Sequence, residues 1–151
     1  MFSMGVLLLG LSAGFLTGYA KSRGPKGQEP QGSETPAPIP PEAAAKKNPV
    51  KPTPEGLAAA KKLFGYHCAM CHGKDGDGKG DLAADMKLKL KDWRDPKSLE
   101  NMTDGELFYI VTNGRGKMTG GEGDRTSEEV RWNLVNYVRS FAKKDAATQK
   151  Q

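Results

Sequence analysis

Residues 66–75 read "YHCAMCHGKD", and this stretch holds both cysteines and both histidines of the chain. Four chemistries use two cysteines separated by two residues. A zinc site needs four ligands in a tetrahedral array, and here His67 and His72 each sit directly beside a cysteine, where one backbone segment can hardly wrap a metal. A thioredoxin-like dithiol follows a strand and opens a helix, whereas Cys68 follows a helical pattern. A disulfide closing so short a loop is strained and removes little chain entropy. The remaining reading is Cys-x-x-Cys-His, the attachment signature of a c-type haem. Its spacing lets the thiols of Cys68 and Cys71 add to two vinyl groups on one porphyrin edge, and the turn between them directs His72 at the iron. His67 precedes the first cysteine on the same side, cannot reach the opposite face, and reads as an exposed or haem-edge polar residue.

With both histidines spent or excluded, the second axial position falls to methionine, to water or to nothing. Methionines stand at 1, 4, 70, 86, 102 and 118. Met1 and Met4 belong to the apolar head, and Met70 is trapped inside the haem-binding turn. Met118 lies in "NGRGKMTGG", where flexible backbone can bring a side chain close to a flat cofactor. It is the first candidate, with Met86, Met102 and an open position as the alternatives; Met102 also suits a core contact.

Working outward, the chain divides into segments. Met1–Ala20 carries no charge and is followed by Lys21, Arg23 and Lys26. Such a run is just long enough to span a bilayer and reads as a membrane anchor or a signal segment. Residues 21–52 hold eight of the ten prolines and read as a disordered tether, about 30 Å long as a flexible coil. A folded domain is expected over 53–144, and a polar tail over 145–151. Thr53 can cap a helix that has Pro54 at its first position, Glu55 in its first turn, and Leu57, Ala60, Leu63 and Phe64 at helical spacing. Thr103-Asp104-Gly105-Glu106 is a capping-box pattern, followed by "LFYIVTNG" with Asn113-Gly114 as its stop. A third helix is expected from about Ser127 to Lys143. The glycine-rich loops contain no alternating apolar run, so no strand is expected and the domain is all-α. "DGDGKGD" lacks a glutamate at the twelfth loop position, where Met86 stands, and reads as a solvated turn rather than a calcium loop.

Charge excludes one class of function. The formal net charge is +5, yet residues 1–52 carry six Lys/Arg against three Asp/Glu and residues 53–144 carry sixteen against fourteen. Much of the surplus therefore lies outside the expected domain, and no arginine-rich or aromatic-basic stretch is present to track phosphates. Nucleic acid is not expected as a partner. Only 36% of residues are hydrophobic, so the core must be small and in need of a staple such as a bound cofactor.

"GLAAAKKLFGYHCAMCHG", "MTDGELFYIVTNGRGKM" and "EEVRWNLVNYVRSF", together covering most of residues 54–142, resemble a class I mono-haem cytochrome c domain of the short type found in bacterial respiratory oxidase subunits. The resemblance implies a small cytochrome c fold of three main helices around one covalent haem c. The first and last helices would cross through Ala60, Phe64 and Tyr137, and Met118 matches the family's methionine ligand after an Asn-Gly turn. It implies a dry pocket from Phe64, Leu107, Ile110, Leu134 and Tyr137, with Trp93 or Arg94 near the propionates. Two positions depart from the pattern. Thr119 follows the methionine where the family has proline, and "GKGDLAADM" lacks the loop proline whose region supplies a hydrogen-bond acceptor for the proximal histidine.

The function so implied is one-electron transport with His72 and Met118 on the iron, by a carrier rather than an enzyme. A haem sensor or peroxidase-like enzyme with an open sixth position is the alternative. Redox proteins are the expected partners, among them subunits of a membrane respiratory complex, with the membrane itself engaged through the N-terminal segment. Haem attachment in this family takes place outside the cytoplasmic membrane, which implies the periplasm or its membrane face; the positive-inside rule, applied to Lys21 and its neighbours, points the other way.

Overall fold

The computed structural model describes residues 36–148, with side chains through residue 142. The expectations for Met1–Ala20, for the first part of the tether and for the last three residues lie outside the described residues. Helices dominate: α1 (Pro41–Ala44), α2 (Pro54–His67), α3 (Ala69–His72), α4 (Asp81–Asp85), a 3-10 turn (Pro96–Leu99), α5 (Asp104–Asn113), α6 (Glu122–Arg125) and α7 (Glu128–Thr148). The expected three main helices are α2, α5 and α7. The all-α reading holds with one correction. Within the loop expected to be free of strands, β1 (Gly114–Arg115) and β2 (Met118–Thr119) pair antiparallel, Gly114 with Thr119 and Arg115 with Met118. Positive φ at Gly114 (79°) and Gly116 (58°) lets the chain reverse within so short a ladder, a signal carried by glycine rather than by apolar alternation.

Local chemistry explains where the main helices begin. Thr53 Oγ1 accepts from Gly56 N at 3.1 Å, and Pro54 occupies the first helical position, where a missing N–H costs nothing. At α5, Thr103 Oγ1 accepts from Glu106 N at 3.1 Å while Glu106 Oε2 accepts from Thr103 N at 2.7 Å, a complete capping box. Helix α7 begins one residue after the expected Ser127 and runs to Thr148, past the expected stop at Lys143 and into the segment read as a tail.

The core lies mainly where α2 meets α7. Ala60 and Phe64 from α2, Leu107 and Phe108 from α5, and Trp132, Leu134, Val135, Tyr137, Val138 and Phe141 from α7 are buried. Burying each of the larger of these side chains contributes roughly 1.5–3 kcal/mol. The Phe64 ring meets Tyr137 edge-on at 5.4 Å and Phe141 at 5.3 Å, so the aromatic meeting expected between the first and last helices is present. On the other side of α7, Phe108 stacks on Trp132 at 4.0 Å. Arg139 ties the 3-10 turn to α7 by donating to Leu99 O at 2.7 Å, and it also donates to Met102 O and to Asp104 Oδ1.

The expected boundary at Thr53 needs correction. Residues within 36–52, placed in the disordered tether on composition, are fixed to the domain. Thr103 Oγ1 donates to Ala44 O at 2.7 Å, Asn48 Nδ2 donates to Trp132 O at 3.2 Å, and Asn136 Nδ2 donates to Val50 O at 2.9 Å. On the segment's own side these bonds use two backbone carbonyls and one asparagine. A reading based on how much apolar surface a proline-rich segment can bury does not register them.

Candidate haem site

The two cysteines and the histidine stand on one turn of backbone. Helix α2 ends at His67, Cys68 takes φ −114° and ψ −36°, and α3 carries the chain to His72. Cys68 O accepts from both Cys71 N (3.1 Å) and His72 N (2.9 Å). Gly73, at φ 75°, then turns the chain back, and the loop closes on itself through Gly78 N to His72 O (2.8 Å) and Gly80 N to Cys71 O (3.1 Å). Both thiols are free and half-buried. Burial pushes the Cys68 thiol up to about 12, and the charges of Glu122 and Cys71 add to the effect, so the thiol keeps its proton at neutral pH.

The His72 imidazole stacks on Trp93 with centroids 4.2 Å apart and planes 20° from parallel. Trp93 is held in turn by its backbone N–H, which donates to Gly76 O at 2.8 Å, and by the Phe64 ring at 6.3 Å. Burial lowers the His72 pKa to about 4, because desolvation penalises the imidazolium. The ring is therefore neutral at physiological pH, the form that ligates metals. Its Nδ1 is buried with no hydrogen-bond partner among the described residues. Two free thiols on one turn and a neutral imidazole with an unmatched nitrogen form a donor set that fits a covalently attached haem. Among the described residues, no group of three or more His, Cys, Asp or Glu is arranged to hold a metal ion.

Met118 is half-buried on β2, in a groove of about 360 Å³ shared with Ala37, Tyr109, Asn113, the Gly114–Gly116 turn, Thr119 and Gly120. Neither cysteine nor His72 lines that groove. Of the other candidate methionines, Met86 is exposed just after α4, and Met102 packs against the core as expected. In the expected pocket, Leu107 and Leu134 are buried and Ile110 is half-buried. Arg94 is engaged with Asp92 through Nε at 2.9 Å and Nη2 at 2.6 Å.

One residue of the neighbourhood escaped the sequence. Glu122, buried at the start of α6, accepts from or pairs with His67 Nδ1 at 2.9 Å and lies near enough to raise the Cys68 thiol. No local pattern signals a carboxylate that meets its partner across fifty-five positions of chain. His67, read as an exposed or haem-edge polar residue, is that partner.

Residues 57–142 match the sequence model of the cytochrome c family, and the chain belongs to that family. Haem-based electron transfer is the function such a domain carries. Among solved structures, a chain of the Kuenenia stuttgartiensis reducing HAO-like protein complex Kustc0457/Kustc0458 is similar at 27% identity with a TM-score of 0.52. The match covers 62% of this chain and 46% of that one, so this chain spans less than half the length of its structural relative. Among curated proteins no significant match was found.

Proposed function

We propose that the protein is a one-electron carrier that holds one haem c through thioether links to Cys68 and Cys71, with His72 and Met118 as the axial iron ligands. The observation that carries this reading is the single turn bearing two free thiols and a half-buried, neutral imidazole whose Nδ1 has no hydrogen-bond partner among the described residues. When bound, the haem would supply a one-electron couple, and ligation by methionine together with histidine would raise its potential. The chain's own residues do the rest. The Cys68–His72 turn fixes where the cofactor sits, and Trp93 lies flat against His72 and sets the imidazole plane. Phe64 and the α7 aromatics keep water from that side.

The carrier is tethered to a membrane by residues 1–20, lies on the periplasmic side, and serves a respiratory or similar chain, exchanging electrons with protein partners. The structural relative belongs, by its title, to a protein complex, which supports protein subunits as redox partners. A weak, small-area contact suits either a free carrier or such a subunit.

A second reading, a haem sensor or peroxidase-like enzyme with an open sixth position, draws on a Met118 groove whose lining includes neither cysteine nor His72. Near-infrared absorption of the ferric holoprotein separates the two. Methionine ligation gives a weak sulfur-to-iron band that Met118→Ala abolishes and Met102→Ala retains; a wild type without the band is not the carrier proposed. Mass analysis of protein taken from membranes reports both the added haem and whether residues 1–20 survive.

A further inference from the structure

Met118 stands on a weak element. The β1–β2 hairpin has two residues in each strand, and Arg115, Gly116, Lys117 and Thr119 are exposed. Glycines at 114, 116, 120 and 121 give its backbone wide freedom. A two-stranded hairpin is marginal without outside support. Thr119, following Met118, lacks the fixed φ that a proline would bring.

Support comes from the N-terminal side. The Pro36 ring lies against Gly116, its Cγ 3.2 Å from where a Cβ would stand on that glycine. Ala37 lines the same groove as Met118 and Tyr109. Behind these two residues the chain is anchored repeatedly. Pro40 O accepts from Ala43 N and Ala44 N, both at 3.0 Å, starting α1. Helix α1 lies so close to α5 that a Cβ on Gly105 would stand 2.2 Å from Ala43 O. Thr103 Oγ1 reaches Ala44 O, Lys46 Nζ sits 6.0 Å above the Phe108 ring, and Asn48 Nδ2 donates to Trp132 O and to Asn136 Oδ1 (3.0 Å). Prolines at 36, 38, 40 and 41 restrict φ along residues 36–41, so the anchoring at α5 and α7 carries forward to Pro36.

We infer that residues 36–50 form a strap that holds the Met118 hairpin in place, with Pro36 and Ala37 as positioning residues for Met118. The inference rests on the reading of Met118 as an iron ligand. The strap takes over the restraint that a proline after the methionine would supply. The hairpin is thus held between α5 on one side and the strap on the other.

The test uses full-length holoprotein in three variants. Pro36→Gly removes the contact at an exposed position, Asn48→Ala removes an anchor far from the hairpin, and Phe141→Leu is a destabilised control in α7. Two quantities are read: hydrogen exchange of the Gly114–Thr119 amides, and the concentration of imidazole that displaces the sulfur-to-iron band. Pro36→Gly and Asn48→Ala are each expected to speed hairpin exchange and lower that concentration by about fivefold, which for Asn48→Ala matches the loss of roughly one net hydrogen bond. Exchange over Cys68–His72 should not change, and Phe141→Leu should not single out the hairpin. Unchanged hairpin exchange and unchanged imidazole competition in both strap variants overturn the inference. A wild type without the band removes Met118 as ligand instead, and the exchange measurement alone then supports or overturns the strap.

Discussion

His67 Nδ1 and Glu122 Oε1 stand 2.9 Å apart, joining the last residue of α2 to the first residue of α6. Arg125 Nη1 approaches the same oxygen at 3.5 Å, and Glu122 Oε2 is buried without a partner among the described residues. The pair therefore fastens the segment leading into Cys68 to the segment that follows the Met118 hairpin. Glu122→Ala is expected to destabilise the holoprotein by ~1–3 kcal/mol, the usual range for a charge-assisted bond at a buried site. In a double-mutant cycle with His67→Ala, denaturant unfolding should give a coupling of about 1 kcal/mol. Additive losses would mean that the pair does not act as a fastening.

Gly76 takes φ +73°, and a Cβ there would lie 2.8 Å from the Phe141 ring. Its carbonyl accepts from Trp93 N, so this glycine supports the ring stacked on His72. Gly76→Ala combines a left-handed backbone penalty with overpacking and should cost ~2–4 kcal/mol in chemical denaturation. Gly65→Ala is the contrast. It is exposed within α2, and a Cβ there would meet nothing within 4 Å, so the substitution should stabilise by ~0.5–1 kcal/mol. Equal effects at the two glycines would refute the packing argument.

These relationships separate what the sequence displays from what only folding brings together. The caps at Thr53 and Thr103 are contiguous patterns within four residues, and the structure shows both as read. The Cys68–His72 turn is contiguous too, so its chemistry is legible before any fold is known. The strap is not, because its attachment runs through Ala44 and Val50 carbonyls, groups that every sequence possesses. The hairpin at Met118 depends on glycine dihedrals rather than on apolar alternation. Glu122 becomes a neighbour of His67 only when α6 packs in place.

The Asp92 carboxyl offers a test by pH. Side-chain hydrogen bonds from Arg94 lower its pKa from 3.8 to about 2, with the Arg94 backbone N–H adding to the effect and burial opposing it. A carboxylate whose folded pKa is depressed contributes stability above its unfolded pKa and loses it as pH falls through the folded value. The contribution should therefore be full above about pH 4 and vanish toward about pH 2. The two side chains are 38% and 39% exposed, so solvent screening keeps it below ~1 kcal/mol. Carbon-detected NMR of the ferrous holoprotein should show Asp92 titrating near 2, and Arg94→Ala should return it toward 3.8. Unchanged titration in that variant would remove Arg94 as the cause.

Phe64 is 2% exposed and stands between the helix crossing and the site. Its ring meets Tyr137, Phe141 and Trp93, and Trp93 in turn covers His72. Phe64→Ala should cost ~3–5 kcal/mol, because the lost burial is joined by a cavity that three rings cannot fully fill. Phe64→Leu keeps most of the volume but loses the edge-on ring contacts, and ~1–2 kcal/mol is expected. If Phe64 supports the His72 environment through Trp93, the alanine variant should also let the haem absorption change at a lower guanidinium concentration than helix content does. Coincident transitions with a full loss of stability would confine Phe64 to the helix crossing. A loss under ~1 kcal/mol in the alanine variant would remove it from the core as well.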